Sequence, residues 1–280
     1  MLALEESLSR KGALPHYFPI NRLAAWTSNR SQVEVKSEHL EDCQALLVRT
    51  IPIGSLEQVI FRMDALHRLE NIGVRIFNSP TTVERTVDKY FTDFILRDAG
   101  ILTPRTMVTE DFDQAVAAFR EMGDVIVKPL FGSEGKGMRR VSDEDTAYRV
   151  FRALELDRYI FYLQEYIPHG QEDIRAFVVG GQVVAAMRRK GNSWKTNVSQ
   201  GAQVEPIELS APLKDLSIEA ARLVGADYAG VDLMPAEDGR IFVLEVNSIP
   251  GWRGLCKTVT FNIADSIVDY ILKSIKKDGI

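Results

Sequence analysis

The segment AGVDLMPAEDGRIFVLEVNS, residues 229–248, constrains the fold more than any other part of the chain. Two apolar runs flank Asp238-Gly239, a dipeptide that favours the tight turn of a β-hairpin. With the loop at residues 237–240, Ala236 faces Ile241 and Asp232 falls opposite Glu245. Carboxylates that face each other across a strand pair repel, and an unpaired charge in such apolar strands is costly to bury. Asn247 lies two residues beyond Glu245 and so points to the same face. Asp232, Glu245 and Asn247 together are a set of hard oxygen donors. Such a set suits Mg2+ or Mn2+ completed by water and phosphate oxygens. The plainer alternative is a carboxylate that faces solvent or meets a lysine, but three polar residues so arranged favour the cation.

A second hairpin signal, Gly180-Gly181, sits inside IRAFVVGGQVVAAMRRK, residues 174–190. The C-terminal half is therefore expected to be largely an antiparallel sheet, with helices near 211–225 and 261–277. Upstream, residues 55–73 pattern as an amphipathic helix with Ser55 as N-cap and Gly73 as its stop. HYFPI (16–20), QALLVRT (44–50) and VRIFNSP (74–80) are strand-like, and one helix is expected over 81–100, capped by Thr81 or Thr82. ILTPRTMV (101–108) is a strand interrupted by Pro104, residues 111–123 a helix, and VIVKPL (125–130) a strand. Three units follow: 1–84, 85–165 and 166–280. The first opens inside a helix, whereas such α/β units usually open with a strand, so either that strand is absent or the start lies upstream.

VIVKPL runs into a glycine-rich loop, FGSEGKGM. The loop has no Walker A register, and Gly132, Gly135 and Gly137 are spaced wrongly for the dinucleotide fingerprint. The chain has 280 residues with net charge −5, which gives no overall pull toward nucleic acid or anionic membrane. No apolar run approaches the ~18 residues of a membrane span. Glu5 and Glu6 stand where an export signal would be positive, so a cytoplasmic protein is expected. Cys43, Cys256 and the four histidines are isolated, which argues against a zinc site or a disulfide framework.

The order of several motifs carries more than any one of them. DKYFTDFILRDAGILTPRT, VIVKPLFGSEGKGM, LQEYI, EDIRAFVVGGQVVAAMRR, WKTNVSQGA, AGVDLM and LEVNSIPG follow one another over roughly 86–257. This succession resembles the ATP-grasp carboxylate–amine ligases, and within them the RimK-like group that attaches glutamate to an acceptor carboxylate. The resemblance implies an α/β (α+β) ATP-grasp fold. It would comprise a small N-terminal α/β domain, a central α/β subdomain with a glycine-rich flap, and a C-terminal antiparallel-sheet subdomain. It also implies that Gly132, Gly135 and Gly137 belong to a flap over ATP phosphates. Backbone N–H groups approach an anion closely at glycine. Lys89 and Lys128 would reach those phosphates, and Gln164, Glu165, Tyr166 and Ile167 would form the hinge beside adenine and ribose. Asp173 would lie near the ribose or the lysines, and Arg175 near the transferring phosphate. Arg189, chosen over Arg188, would line the acyl-phosphate site with Lys195 and Asn197. Lys195 departs from the arginine common in relatives, which removes a bidentate anion contact. Gly201-Ala202 stands where relatives often have two glycines.

The reaction implied has two steps. A carboxylate attacks the γ-phosphate of ATP to give an acyl phosphate and ADP, and an amine then displaces phosphate to form an amide. Its cofactors would be ATP and two Mg2+ or Mn2+ ions at Asp232, Glu245 and Asn247. Its partners would be an amino acid, glutamate, and a carboxylate-bearing acceptor, without nucleic acid or membrane; a homo-oligomer is compatible with the sequence. VRTIPIGSLEQVIFRMDALHRLENIGV, residues 48–74, is similar to relatives that glutamylate tetrahydromethanopterin. Trp194 and Trp252 are candidates to stack on a flat acceptor, and Arg253 to hold a glutamate carboxylate. Ordinary packing is the alternative for both tryptophans. The rival functions are glutamylation of a protein C-terminus, another ATP-grasp peptide ligase, and an ATP-binding module without turnover.

Overall fold

The computed structural model describes residues 2–27, 32–132 and 135–277. The chain enters through helix α1 (Leu2–Arg10), followed by strands β1 (Leu23–Trp26), β2 (Gln32–Val35) and β3 (Glu38–His39). Then come β4 (Ala45–Leu47), helix α2 (Leu56–Asn71), β5 (Arg75–Phe77) and helix α3 (Pro80–Val87). Strands β1 to β3 form a small antiparallel sheet, and β4 and β5 pair in parallel. α2 begins at a reciprocal capping box, in which the Ser55 hydroxyl accepts from Gln58 N while Ser55 N donates to the Gln58 side chain.

The middle of the chain supplies α4 (Lys89–Asp98), β6 (Thr106–Thr109), α5 (Phe112–Met122) and β7 (Val125–Val127). β8 (Arg139–Val141), α6 (Glu144–Leu156) and β9 (Phe161–Glu165) complete it. The sheet order is β6-β9-β7-β8. Val125, Val127, Phe161 and Leu163 pack with α5 and α6 into one core. The alternation of a strand therefore turns Ile126 and Gln164 to the other face.

The last part holds β10 (Glu172–Val179), β11 (Gln182–Lys190), β12 (Gln203–Pro206) and α7 (Ala211–Val224). β13 (Tyr228–Pro235), β14 (Ile241–Asn247) and α8 (Ile263–Lys277) follow. The antiparallel order is β12-β11-β10-β13-β14. One face packs α7 over Ile174, Ala176, Val231 and Leu233. On the other face, Phe177, Met187 and Tyr228 lie in a core with α8, and farther along the same strands that face becomes charged.

Several expectations change. HYFPI is not a strand: residues 16–19 have no regular structure, and the strand begins only at Leu23. Pro15 and Pro19 lack the N–H that a ladder needs. The single helix over 81–100 is two, because Asp88 ends α3 and caps α4 by accepting from the Tyr90 and Phe91 amides. The first cap is Ser79 with Pro80 after it, not Thr81 or Thr82. In the β13–β14 hairpin, Pro235 rather than Ala236 faces Ile241, and a bulge at Leu244 restores the expected pairing of Asp232 with Glu245.

The N-terminal part is tied to the five-stranded sheet by Asn78. Its amide donates to Tyr228 O at 2.8 Å and Ser248 O at 2.7 Å, and accepts from Asp227 N at 2.5 Å. α1 also meets α8 through Arg10–Asp265 at 2.6 Å and a Lys11–Asp269 pair.

Candidate active site

The free face of the four-stranded sheet and the charged end of the five-stranded sheet enclose a cleft with about 870 Å3 of empty space, part of it open to solvent. The Leu244 bulge shapes one wall. An extra residue in one strand lets two consecutive side chains share a face. Leu244 and Glu245 accordingly both line the cleft, while Val243 and Val246 stay in the core beneath. Leu244 joins Ile126, Ile167 and Met234 in an apolar slot at one end. The slot was not legible in the sequence. Strict alternation assigns the apolar residue directly before Glu245 to the core, so nothing local marks it as part of the cleft.

Glu165, Tyr166 and Ile167 border that slot. The Glu165 and Tyr166 amides are already bonded, to Arg105 O at 2.8 Å and Asp124 O at 2.9 Å. The Gln164 side chain is buried, accepts from Lys128 Nζ at 2.5 Å and donates to Thr106 Oγ1 at 3.1 Å, so it holds the lysine in place. Lys89 Nζ donates to Leu130 O at 3.0 Å and Gly132 O at 2.9 Å, which anchors the start of the glycine-rich loop. Gly135 has φ +69° and lies so close to Asn197 that a Cβ would collide with Oδ1. The loop thus rests on the segment that carries Lys195 and Asn197. Ser133 and Glu134, within the same loop, lie outside the described residues.

Charged side chains occupy facing positions on neighbouring strands. Arg175 is directly opposite Asp232, Asp232 opposite Glu245, and Asp173 opposite Arg189. Arg175 makes a two-pronged contact with Asp232, Nη2 to Oδ2 being 2.6 Å. Arg189 does the same with Asp173 at 2.6 Å for each prong, and its Nη2 also reaches Asp232 Oδ1 at 3.1 Å. Thr196 donates to Asp173 Oδ2. Arg188, on the opposite face, meets Glu172 at 3.6 Å, so Arg189 is the cleft-facing member of the pair. Burial pushes the Asp232 carboxyl upward, but Arg175 and Arg189 outweigh it and hold it at about 2. Burial raises Asp173 in spite of Arg189. On the opposite wall, burial lowers Lys128 to about 8, with Glu245 pulling the other way, and lowers Lys89.

The cation that the facing carboxylates call for is thus supplied in part by Arg175. Glu245 is less committed: one oxygen accepts from Asn247 Nδ2 at 2.8 Å, Arg175 is 3.7 Å away, and the side chain is 37% exposed. Among the described residues no three or more His, Cys, Asp or Glu side chains gather as a metal cage. Two carboxylates and an amide fit a hard divalent ion that takes its remaining ligands from phosphate and water.

Of the residues expected at the site, Gly137, Arg175 and Asn247 are not among those that line the cleft, and the others are. Trp194 is on the wall, with Lys195 Nζ 5.2 Å from its ring centroid. Trp252 is engaged within the fold: the Arg49 guanidinium covers it at 4.3 Å, and the Phe177 ring meets it in a T-shaped arrangement. Arg253 is exposed. Arg49 was missed by sequence reasoning; its only signal is a charge placed directly after the apolar run ALLV.

The model of the RimK-like ATP-grasp domain matches residues 86–271. The tetrahydromethanopterin:alpha-L-glutamate ligase of Methanocaldococcus jannaschii is 38% identical over 85% of this chain and 82% of its own. That of Methanococcus maripaludis is 31% identical over 98% and 94%. Among solved structures, the ATP-grasp ligase PsnB complexed with minimal precursor, Mg and ADP matches 98% of this chain and 93% of its own, with a TM-score of 0.76 and 24% identity. The chain belongs to the RimK-like ATP-grasp ligases.

Proposed function

We propose that this protein joins L-glutamate to a carboxylate of a small acceptor of the tetrahydromethanopterin type, in the cytoplasm, with formation of ADP and phosphate. The observation that carries this is the run of side chains along the β13–β14 hairpin, from the apolar slot at Met234 and Leu244 to the carboxylates at Asp232 and Glu245, with Lys89 and Lys128 on the wall opposite. Such a cleft accepts a base at one end and a polyphosphate at the other. The 38% identity to the M. jannaschii ligase supports the acceptor class. The division at residues 85 and 166 fits this reading, since each sheet falls within one of the three units.

In the proposed reaction an acceptor carboxylate oxygen bonds the γ-phosphorus as the bond to ADP breaks. The glutamate amine then attacks the acyl carbon, gives up a proton, and phosphate leaves. Asp232, Glu245 and Asn247 would hold Mg2+ or Mn2+, two ions, which when bound neutralise phosphate charge. Lys128, kept in place by Gln164, and Lys89 supply cationic charge at the phosphates. Arg175 and Arg189 arrive already oriented by their carboxylates, which lowers the reorganisation needed in the transition state. The glycine-rich loop excludes water that would hydrolyse the acyl phosphate.

The test is product analysis with ATP, Mg2+, L-glutamate and tetrahydromethanopterin, with Glu245→Gln as control. The expected result is ADP and phosphate that depend on both glutamate and pterin, a product heavier by one glutamyl residue, and loss of turnover in the variant with its fold intact. AMP and pyrophosphate would overturn the acyl-phosphate route. Unchanged turnover in Glu245→Gln would remove the metal assignment.

A further inference from the structure

Arg49 stands in the loop directly after β4 and crosses to the five-stranded sheet. Its Nη1 donates to the Tyr228 hydroxyl at 3.2 Å and its Nη2 to Pro250 O at 3.0 Å, while the guanidinium covers Trp252. These partners are all neutral. A guanidinium keeps its charge at any working pH and has five N–H groups to satisfy. Arg49 is half-buried, and among the described residues no carboxylate is paired with it. It also borders a second cavity, about 2730 Å3 of empty space on the N-terminal side of the molecule. This contrasts with Arg175 and Arg189, each of which has its carboxylate in hand.

The place of Arg49 follows from β13. Alternate residues of that strand, Met234, Asp232, Gly230 and Tyr228, point to one face, each step being about 7 Å. Met234 marks the apolar slot and Asp232 the charged centre. Gly230 has no side chain, and a Cβ there would lie 2.9 Å from Arg175 Nη1 and 3.0 Å from Pro250 Cβ. Tyr228 takes the hydrogen bond from Arg49. Moving away from the base slot, the order is therefore Arg175, Pro250, Arg49. A substrate that meets the terminal phosphate from beyond it has Arg175 near its reacting end and Arg49 farther out.

We propose that Arg49 binds a second, non-reacting carboxylate of a substrate that carries two, and so positions the reacting group. The inference rests on the ligase reading above. The carboxylate belongs either to a dicarboxylate end of the acceptor or to the incoming glutamate; the chemistry is the same, and kinetics separate the sources.

Steady-state constants for all three substrates are to be measured in the wild type, Arg49→Gln and Arg49→Lys. Arg49→Gln is expected to raise the KM of one carboxylate substrate about 10- to 100-fold, as for loss of a charged hydrogen bond, with the KM for ATP within about twofold. A shift in the acceptor KM assigns the carboxylate to the acceptor, and a shift in the glutamate KM assigns it to glutamate. Arg49→Lys should recover part of the loss, because it keeps charge without the fork. Unchanged KM values for both carboxylate substrates, or a fall in kcat alone, would overturn the proposal, since a merely structural arginine acts in that way. Calorimetric binding of glutarate separates this from the ligase reading. If the wild type shows no ligation but binds glutarate at least tenfold more tightly than folded Arg49→Gln and Arg49→Lys, the ligase reading fails and the anion site stands. Equal binding in all three overturns the site.

Discussion

The two walls of the cleft hold their charges differently. On the five-stranded sheet, Arg175 and Arg189 face Asp232 and Asp173 across adjacent strands, so the cations and anions form one buried network. On the other wall, Lys128, just past β7, is bonded to the Gln164 amide oxygen, and Lys89, at the start of α4, to two backbone carbonyls, all neutral. Folding alone balances the first wall. The second wall holds charge that burial disfavours, and the lysines respond with lowered proton affinity. The difference separates two tasks: the arginine wall is a preorganised frame, and the lysine wall presents positive charge hydrogen-bonded only to neutral oxygens.

Removing one member of the frame should have the largest effect. Asp232→Ala leaves Arg175 and Arg189 buried without their shared carboxylate, and is expected to destabilise the fold by about 3–5 kcal/mol and to abolish turnover. Chemical denaturation of the variant measures the first effect. A variant as stable as the wild type would mean that the arginines find other partners, and the wall would not be a frame.

Lys128→Met should separate the walls. It removes a charge that folding does not need, so stability is expected to stay the same or rise while turnover falls by about 10²- to 10³-fold. Loss of stability comparable to Asp232→Ala would erase the distinction. The pH dependence sharpens the point. Lys128 has its proton affinity lowered to about 8 from 10.5, so the native form binds fewer protons than the unfolded chain between those values. Its stability contribution is therefore present above about 10.5 and lost as the pH falls through about 8. Binding of ATP in the absence of metal runs the other way and should weaken as the pH rises through about 8, where the lysine loses its proton. Lys128→Met should flatten both slopes, and equal slopes in the variant would assign them to another group.

How far the sequence reached depended on whether a feature was local. The Ser55 cap of α2 and the Gly180-Gly181 turn are written in neighbouring residues, and both formed as expected. The pairing of Asp232 with Glu245 was legible for a less secure reason: the turn was misplaced by one residue, and the Leu244 bulge compensated. Those carboxylates do meet a cation, but the register that sets Arg175 against Asp232 joins segments 57 residues apart and no short-range pattern encodes it. Arg49 was hidden for the same reason, because Tyr228 and Pro250 lie 179 and 201 residues away.

The smallest expected effect concerns the bulge, which lies on the frame wall but lines the apolar slot proposed for the base. Leu244→Ala should weaken ATP binding about tenfold, because less apolar surface is then buried against the base, and leave kcat nearly unchanged. Deleting Leu244 probes its second role. The deletion restores strict alternation and keeps Phe242 and Glu245 toward the cleft, with Val243 and Val246 in the core. If the bulge only supplies an extra side chain, the deletion should match Leu244→Ala in both constants. A further fall in kcat of about 10²-fold would mean that the bulge also aims the Glu245 carboxylate. The frame would then depend on a backbone irregularity as well as on its ion pairs, and the two walls would differ less than their charges suggest.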